Sequence, residues 1–418
     1  MEQLQKISEA LLRCNKCGFC LAGCPVYKVT GIEWTAARGK LTLLRSVLDG
    51  ELGLNEITEP ILDCLTCNGC VDHCPSGVIT EDLILKARAE LMQKQGQPWL
   101  QNLIFRELLP NPSRLHKLSR LLGCLQVSGL RSLARKLGLT VLLGNAGKAE
   151  RIVPPVPFRS KMTDTSSSRL EHPSYRVAYF IGCAGANLTP GITEAAIRVL
   201  NRHNVAVILP DFVCCGMPAY GYGDITATLS MVRKNIDMAG AIDVDAIITT
   251  CATCGSLLKR YPELLGKDTD YSARAGNFAG KVRDISEFLV DIGLNTEMGT
   301  LQHKVTFHDP CHLGRFQKIT NPPRQLLQSI PGVEFIEMAE ANMCCGSAGS
   351  YSLSHYELSM KVLTRKMQNA ARTGADLLAT CCPGCSMQLA HGIREQGLKL
   401  QSIDMVELLD RAYRSVTG

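Results

Sequence analysis

The sequence predicts a multidomain α+β protein, an N-terminal α-helical domain followed by two duplicated α/β modules with small parallel sheets. Three observations predict it. Helical apolar spacing flanks two copies of a cysteine run near the N-terminus. An internal repeat with a near-constant offset fills the C-terminal half. Within each repeat, short β-rich runs alternate with helical segments.

The chain has 418 residues, long enough for two or three hydrophobic cores. It is 45% hydrophobic and 20% charged, as soluble globular proteins are. Aromatic residues make up only 5%, which argues against stacking platforms for single-stranded nucleic acid. The formal charge of +6 counts every cysteine as neutral, and metal-bound thiolates would offset part of it. Nucleic-acid binding is therefore not expected. There is no N-terminal apolar leader and no run of 18 apolar residues, so neither secretion nor a transmembrane segment is expected. Twenty cysteines in tight C-x-x-C groups point to metal ligation in a reducing cytoplasm rather than to disulfides. A peripheral position at the inner face of a membrane stays compatible with this.

Residues 1–96 form the first domain. "CNKCGFCLAGCP" (14–25) and "CLTCNGCVDHCP" (64–75) both have the spacing C-x2-C-x2-C-x3-C-P. The segments "AARGKLTLLRSVLDGEL" and "EDLILKARAELMQKQG" after them have helical apolar spacing. The cysteine spacing is that of bacterial two-cluster [4Fe–4S] ferredoxins. Three cysteines at i, i+3 and i+6 wrap three corners of a cubane cluster. The chain then turns away at Cys-Pro, so the fourth thiolate suits the neighbouring cluster. The expected ligand sets are Cys14, Cys17, Cys20 and Cys74 for one cubane [4Fe–4S] cluster, and Cys64, Cys67, Cys70 and Cys24 for the other. A zinc ribbon, with two C-x-x-C pairs per metal, accounts neither for the third cysteine nor for Cys-Pro.

Residues 97–150 read as a basic amphipathic helical connector, broken at "LPNPS". From Gln97 to Leu137 it has seven Lys or Arg and one acid, Glu107. Three roles stay open: a helix packing its Leu stripe on the body, a docking surface for a partner subunit, or a membrane-surface helix. Residues 151–174, rich in Pro, Ser and charge, read as a linker.

Residues 175–300 and 301–418 are the two repeats. "RVAYFIGCAGAN" matches "KVTFHDPCHLGR", "LPDFVCCGMPAYG" matches "EANMCCGSAGSYS", and "DAIITTCATCGSLL" matches "DLLATCCPGCSMQL". The offsets are 128 residues from Cys183 to Cys311, 130 from Cys215 to Cys345 and 131 from Cys254 to Cys385. The first repeat offers Cys183, Cys214, Cys215, Cys251 and Cys254; the second offers Cys311, Cys344, Cys345, Cys382 and Cys385. These cysteines fall where strands end, which is where open α/β sheets build sites. Five thiols exceed the four ligands of a cubane cluster or of structural zinc. Both members of an adjacent pair reach one centre only at a sharp turn, which Gly216 and Gly346 permit.

In the second repeat His308, Asp309 and His312 flank Cys311. They read either as proton donors and hydrogen-bond partners of cluster sulfurs or as ordinary strand-end residues. Two cysteines are left over. Cys124 reads as a small buried apolar residue. Cys381 is set aside because Cys382 keeps the C-x-x-C spacing. His203 and His391 read as surface or core.

With these motifs in place, the chain resembles the glycolate oxidase iron–sulfur subunit family, which joins a helical two-cluster ferredoxin domain to two cysteine-rich CCG modules. Related chains are the heterodisulfide reductase B and D subunits, the anaerobic glycerol-3-phosphate dehydrogenase C subunit and lactate-utilisation proteins. The resemblance implies one or two further iron–sulfur clusters in the CCG modules; the heterodisulfide reductase form is a noncubane [4Fe–4S] type with five cysteine ligands. The sequence has no G-x-G-x-x-G after a strand, no G-x-x-x-x-G-K-[ST], no G-x-S-x-G and no H-E-x-x-H. No flavin or nucleotide is therefore expected in this chain, and two-electron organic chemistry needs a partner. The expected function is an oxidoreductase subunit taking electrons from an FAD-containing dehydrogenase subunit that oxidises glycolate or lactate. Electrons leave to an electron-transfer flavoprotein or a quinone-linked acceptor. A catalytic heterodisulfide reductase-like subunit and a glycerol-3-phosphate dehydrogenase subunit are the alternatives.

Overall fold

The structure, a computed structural model, describes residues 7–127, 147, 148, 150–154, 170–266, 268 and 270–417. In the N-terminal part the expected helices form at Ala37–Leu48 and Thr80–Gln95. Leu41, Leu44 and Val47 follow helical spacing and meet Ile57, Ile61, Leu83, Ile84 and Leu91 in a core separate from the rest. Burying each such side chain contributes about 1.5–3 kcal/mol over leaving it in water.

The C-terminal half contains two four-stranded parallel sheets of the same order, β2-β1-β3-β4 and β6-β5-β7-β8. In the first, β1 is Tyr175–Tyr179, β2 Val205–Ile208, β3 Ala246–Thr249 and β4 Val282–Asp284. In the second, β5 is His303–Phe307, β6 Val333–Phe335, β7 Leu377–Thr380 and β8 Gln401–Asp404. The central strands β3 and β7 are buried along their whole length, as the apolar runs AIIT and LLAT require of strands covered on both faces. In both sheets the strand order reverses at the central pair, β1 with β3 and β5 with β7. Open α/β sheets bind ligands at such a switch point.

The modules pack reciprocally. Pro190–Arg202, the helix after β1, meets Met405–Arg414, the helix after β8. Asn321–Ser329, after β5, meets Ile285–Asp291, after β4. Each contact joins the same two kinds of element with the modules exchanged, which is the signature of an internal two-fold. Arg198 closes the first contact by donating to both carboxylate oxygens of Asp410, at 2.7 Å for Nη2 to Oδ2. The equivalent segments after β3 and β7 also meet, the Ala252 N–H donating to the Cys381 carbonyl at 3.2 Å.

The connector is helical at Trp99–Asn102, continues as a π-helical turn over Leu103–Leu108, and resumes at Pro112–Val127 after the break at Leu109–Asn111. Only part of its apolar stripe packs on the body. Phe105 and Leu109 are buried, whereas Trp99, Leu100, Leu103, Leu118, Leu121 and Leu122 are exposed. The remainder of the connector, residues 128–146, and most of the 151–174 linker lie outside the described residues. Among the described residues no helix is long and apolar enough to cross a membrane.

Candidate metal centres

Both N-terminal runs wind in the same way. The second and fourth residues after the first cysteine have left-handed backbones: Lys16 (φ 53°) and Gly18 (φ 86°) in one, Thr66 (φ 47°) and Asn68 (φ 55°) in the other. A side chain in that region costs roughly 1–2 kcal/mol. The same strain at matching positions marks a loop shape imposed by what it encloses. The runs are also locked together. A Cβ on Gly23 would collide with the Gly69 carbonyl, and a Cβ on Gly69 with the Gly23 carbonyl, so both positions require glycine.

Cys24 leaves its own run and lies beside Cys67 and Cys64. Burial, and then the charges of those two neighbours, push its thiol up to about 12 against the opposing Tyr27 N–H. Cys70 is raised by burial and then by Cys64, Cys67 and Cys24. Cys14 and Cys17 act together on Cys20, which is raised chiefly by burial. Cys74 Sγ accepts from the Val78 N–H at 3.4 Å and packs against the same core as Cys14 and Cys64. Thiols crowded out of water, each making the next harder to ionise, suit a soft cationic centre that binds them as thiolates. The two groups differ in exposure, Cys17 being exposed and Cys67 buried.

The five thiols of each module gather at the C-terminal ends of the central strands. Cys183 and Cys214 stand 3.8 Å apart at sulfur, and Cys345 and Cys385 3.6 Å apart. Gly216 (φ 100°) and Gly346 (φ 87°) make the turns expected after the Cys-Cys pairs. The thiols share protons. Cys214 and Cys254 donate to Cys215 and hold it at about 5. Cys345 is lowered by Cys344 and Cys385, and Cys382 by Cys251 and Cys385. A Cβ on Gly346 would lie 2.7 Å from the Ser359 carbonyl, but one on Gly216 only 3.3 Å from a Thr228 methyl. Gly346→Ala is therefore expected to cost more than Gly216→Ala, which carries only the roughly 1–2 kcal/mol backbone penalty. Thermal unfolding of the two variants checks the order.

The two thiol sets face one another across the internal two-fold. Nine of their ten cysteines, all but Cys214, line a single cavity of about 840 Å³ that Cys64 also reaches. The Cys251 thiol donates to its repeat counterpart Cys382, and Thr253 Oγ1 is 3.4 Å from the same sulfur. At the other end, the Cys67 and Cys344 thiols are hydrogen-bonded, and Cys344 bonds Cys311 in turn. The second module, not the first, thus meets the N-terminal thiols directly.

Three buried cations and the half-buried Arg315 surround these thiols, and none was singled out from the sequence. Lys40 feels Cys64 and Cys24, and its Nζ donates to the Pro60 carbonyl at 2.6 Å. Arg88 donates to the Cys64 carbonyl at 2.6 Å. Arg315 donates to Asp72 at 2.9 Å and to the Cys67 carbonyl at 3.3 Å. Lys366, lowered to about 8 by burial, faces Cys345 and Cys344. Such charges offset a thiolate cluster in a dry site. A signal existed: Lys40 and Lys366 occupy core positions of amphipathic helices, among Ala37, Leu41 and Leu44 and among Val362, Leu363 and Met367.

The residues flanking Cys311 separate into three roles. Asp309 is held bidentately by Arg324, at 2.8 and 2.7 Å, so its carboxylate is paired away from the thiols. His312 Nδ1 is 3.4 Å from Cys311 Sγ, and its ring stacks on Phe316. His308 is fully buried, lines the cavity and has no hydrogen-bond partner for either ring nitrogen among the described residues. Burial and the nearby Lys366 ammonium lower its pKa to about 3, so the ring is neutral. Cys124 corrects the sequence expectation: it is exposed, on the part of the connector helix that leaves the body. Cys381 is buried, with its sulfur 3.8 Å from that of Met405. His203 Nδ1 donates to the Val199 carbonyl at 2.8 Å, and His391 is buried near Tyr356.

Comparison with known proteins matches this architecture segment by segment. Residues 10–78 match the family described as a 4Fe-4S dicluster domain, and 177–259 and 305–390 each match the cysteine-rich domain family. Residues 96–153 match the linker region of the glycolate oxidase iron-sulfur subunit. The chain is 36% identical over 416 residues to the probable glycolate oxidase iron-sulfur subunit of Bacillus subtilis, covering 96% of this chain and 93% of that protein. It is 30% identical over 400 residues to the glycolate oxidase iron-sulfur subunit of Escherichia coli, covering 93% and 92%. Lactate utilization protein A of Shouchella clausii is 29% identical over 236 residues, which is 56% of this chain and 98% of that one.

Proposed function

Because the chain belongs to the glycolate oxidase iron–sulfur subunit family, we propose that it is the electron-transfer subunit of a flavin-dependent 2-hydroxy-acid dehydrogenase, glycolate or lactate being oxidised by an FAD-containing partner. One observation supports this most: the thiol sets form a succession from surface to interior. It runs from the exposed Cys17, through the group of Cys24 and Cys64, to Cys67 against Cys344 and then Cys251 against Cys382. The ligand sets are Cys14, Cys17, Cys20 and Cys74, then Cys64, Cys67, Cys70 and Cys24, and the five thiols of each module. Iron–sulfur clusters on these thiolates supply one-electron exchange.

The chain's own residues do the rest. Backbone N–H groups of Tyr27, Thr66, Val78 and Gly346 point at cysteine sulfurs within 3.4–3.5 Å and stabilise thiolate over thiol. Lys40, Arg88, Arg315 and Lys366 offset the negative charge. The packed modules keep bulk water from the inner thiols. The exposed side chains of Leu12, Phe19 and Ile79 lie within five residues of Cys14, Cys20 and Cys74 in sequence and give the flavoprotein an apolar docking face. A reducing compartment such as the cytoplasm suits twenty free thiols. An electron-transfer flavoprotein or a quinone-linked carrier would be the acceptor.

The test is reconstitution. With the partner flavoprotein, a 2-hydroxy acid should bleach the iron–sulfur absorbance of the anaerobic protein; without the partner it should not. Fast oxidation of the acid, or fast reduction of a disulfide, by the isolated chain would overturn the proposal. The iron content should exceed the roughly eight atoms of two cubane clusters.

A further inference from the structure

The two modules are copies in which almost every thiol has its counterpart, so a chemical difference at an equivalent position carries information. Phe180 and His308 are such a pair. Each immediately follows the first strand of its sheet, and each extends that strand's ladder to the neighbouring central strand. The Phe180 N–H donates to the Ile248 carbonyl at 2.8 Å, and the His308 N–H to the Ala379 carbonyl at 2.9 Å. Both residues are fully buried. In the first module the position is filled by a phenyl ring that lies 5.2 Å from the Phe212 ring, an ordinary core contact. The second module has an imidazole there instead.

Burying an imidazole with neither nitrogen bonded costs about 1–3 kcal/mol, so an orphan of this kind needs a partner. Among the described residues, the ligating side chains that gather with it are two cysteines. A His308 ring nitrogen and the Cys345 and Cys385 sulfurs all lie within 4.8 Å of one another, all three residues being buried. This is a convergent N and S donor set, open to the cavity, and among the described residues no such set gathers around Phe180.

We propose that His308 is a nitrogen ligand of the metal centre held by the second module, so that the two duplicated centres are chemically unlike. This rests on the second module holding a metal centre. A neutral imidazole donates without adding negative charge, whereas each thiolate adds one. With the imidazole in place of one of the module's five thiolates, the centre carries one negative charge fewer than its all-thiolate counterpart and is easier to reduce, as it is where histidine replaces cysteine in Rieske clusters. The centre touching the N-terminal thiols through Cys344 would have the higher potential of the two. With one ring nitrogen on the metal, the other has room for an ordered water in a cavity of this size.

The experiment uses the full chain, purified anaerobically from cells fed 15N-histidine or 14N-histidine. Pulsed EPR of the paramagnetic states should show the strong coupling of a directly bonded nitrogen that changes with the isotope, and Mössbauer spectra of 57Fe protein should show one distinct iron site. His308→Phe, which restores the residue of the first module, should abolish the coupling and lower one midpoint potential. If that variant does not fold, the isotope comparison on the unaltered protein decides alone. An iron content above about eight with no histidine coupling, or only the weak coupling of a hydrogen-bonded nitrogen, would overturn the ligand while leaving filled modules intact. An iron content near eight would sink both.

Discussion

Replacing Cys24 with alanine is expected to empty the centre of the second run, Cys64, Cys67 and Cys70, and to leave that of Cys14, Cys17 and Cys20 in place. By sequence Cys24 belongs to the first run, so the opposite result would be the simple guess. The proline after it turns the chain, and Cys24 caps the N-terminus of the short helix Pro25–Thr30 with its sulfur accepting from the Tyr27 N–H at 3.5 Å. Its electrostatic neighbours are Cys67, Cys64 and Lys40, not Cys14 or Cys17. The variant should lose about four of the iron atoms and one of two ferredoxin-type EPR signals. Electron passage to the modules should fall with it, because Cys67 is the residue in contact with Cys344. Loss of the helix cap adds about 0.5–2 kcal/mol of destabilisation. Cys24→Ser, which keeps a capping oxygen, separates that effect from loss of a ligand. Loss of the Cys14 centre with the Cys64 centre retained would refute the crossed assignment.

The crossing was legible because C-x2-C-x2-C-x3-C-P is a local pattern that dictates local winding. The repeat was legible for a similar reason: Cys-Cys-Gly and C-x-x-C recur at a nearly fixed offset, and the β-rich runs between them became β2 and β3 as expected. What the sequence withheld is nearly all long-range. Nothing local to Cys67 or Cys344 says that they meet, and chain order would put the first module beside the N-terminal thiols. The internal two-fold that brings Cys251 to Cys382 is a packing relation between two copies that share one hydrophobic core, with no motif to announce it. The buried cations lay between these extremes. Lys40 and Lys366 break the apolar stripe of otherwise ordinary amphipathic helices, a visible irregularity, but their thiol neighbours come from other elements. Cys124 went the other way: an apolar helix stripe suggested burial, and the helix instead carries it out into solvent.

Arg88→Met is expected to be the most destabilising single change away from the cysteines, by about 3–5 kcal/mol. Arg88 sits on the buried face of Thr80–Gln95 and is 8% exposed. Its guanidinium donates to the carbonyls of Ile61 at 3.2 Å, Leu62 at 3.1 Å, Cys64 at 2.6 Å and Gly221 at 2.7 Å. Two of these end the helix Thr58–Leu62, the third is that of the first cysteine of the second run, and the fourth belongs to the first module. One side chain therefore fixes the start of a metal loop and joins two domains. Hydrogen bonds from a charged donor contribute about 1.5–3 kcal/mol each, and buried carbonyls left unpaired cost a further 1–3. Those losses are shared within one network and do not add, which gives the lower total. Methionine fills much of the volume, so the change reports the lost donors rather than a cavity. Little room exists for repair, because a Cβ on Gly223 would already press on the Arg88 and Ala89 backbone. Lysine should rescue only partly, since an ammonium cannot present five donors in a planar fork. The measurement is anaerobic thermal unfolding followed by iron release, with a drop on the order of 10 °C expected. Iron should leave the Cys64 group first, because Arg88 holds the Cys64 carbonyl and none at Cys14. A methionine variant that melts with the unaltered protein, or one that sheds iron from the Cys14 group first, would show that this arginine does not hold the loop.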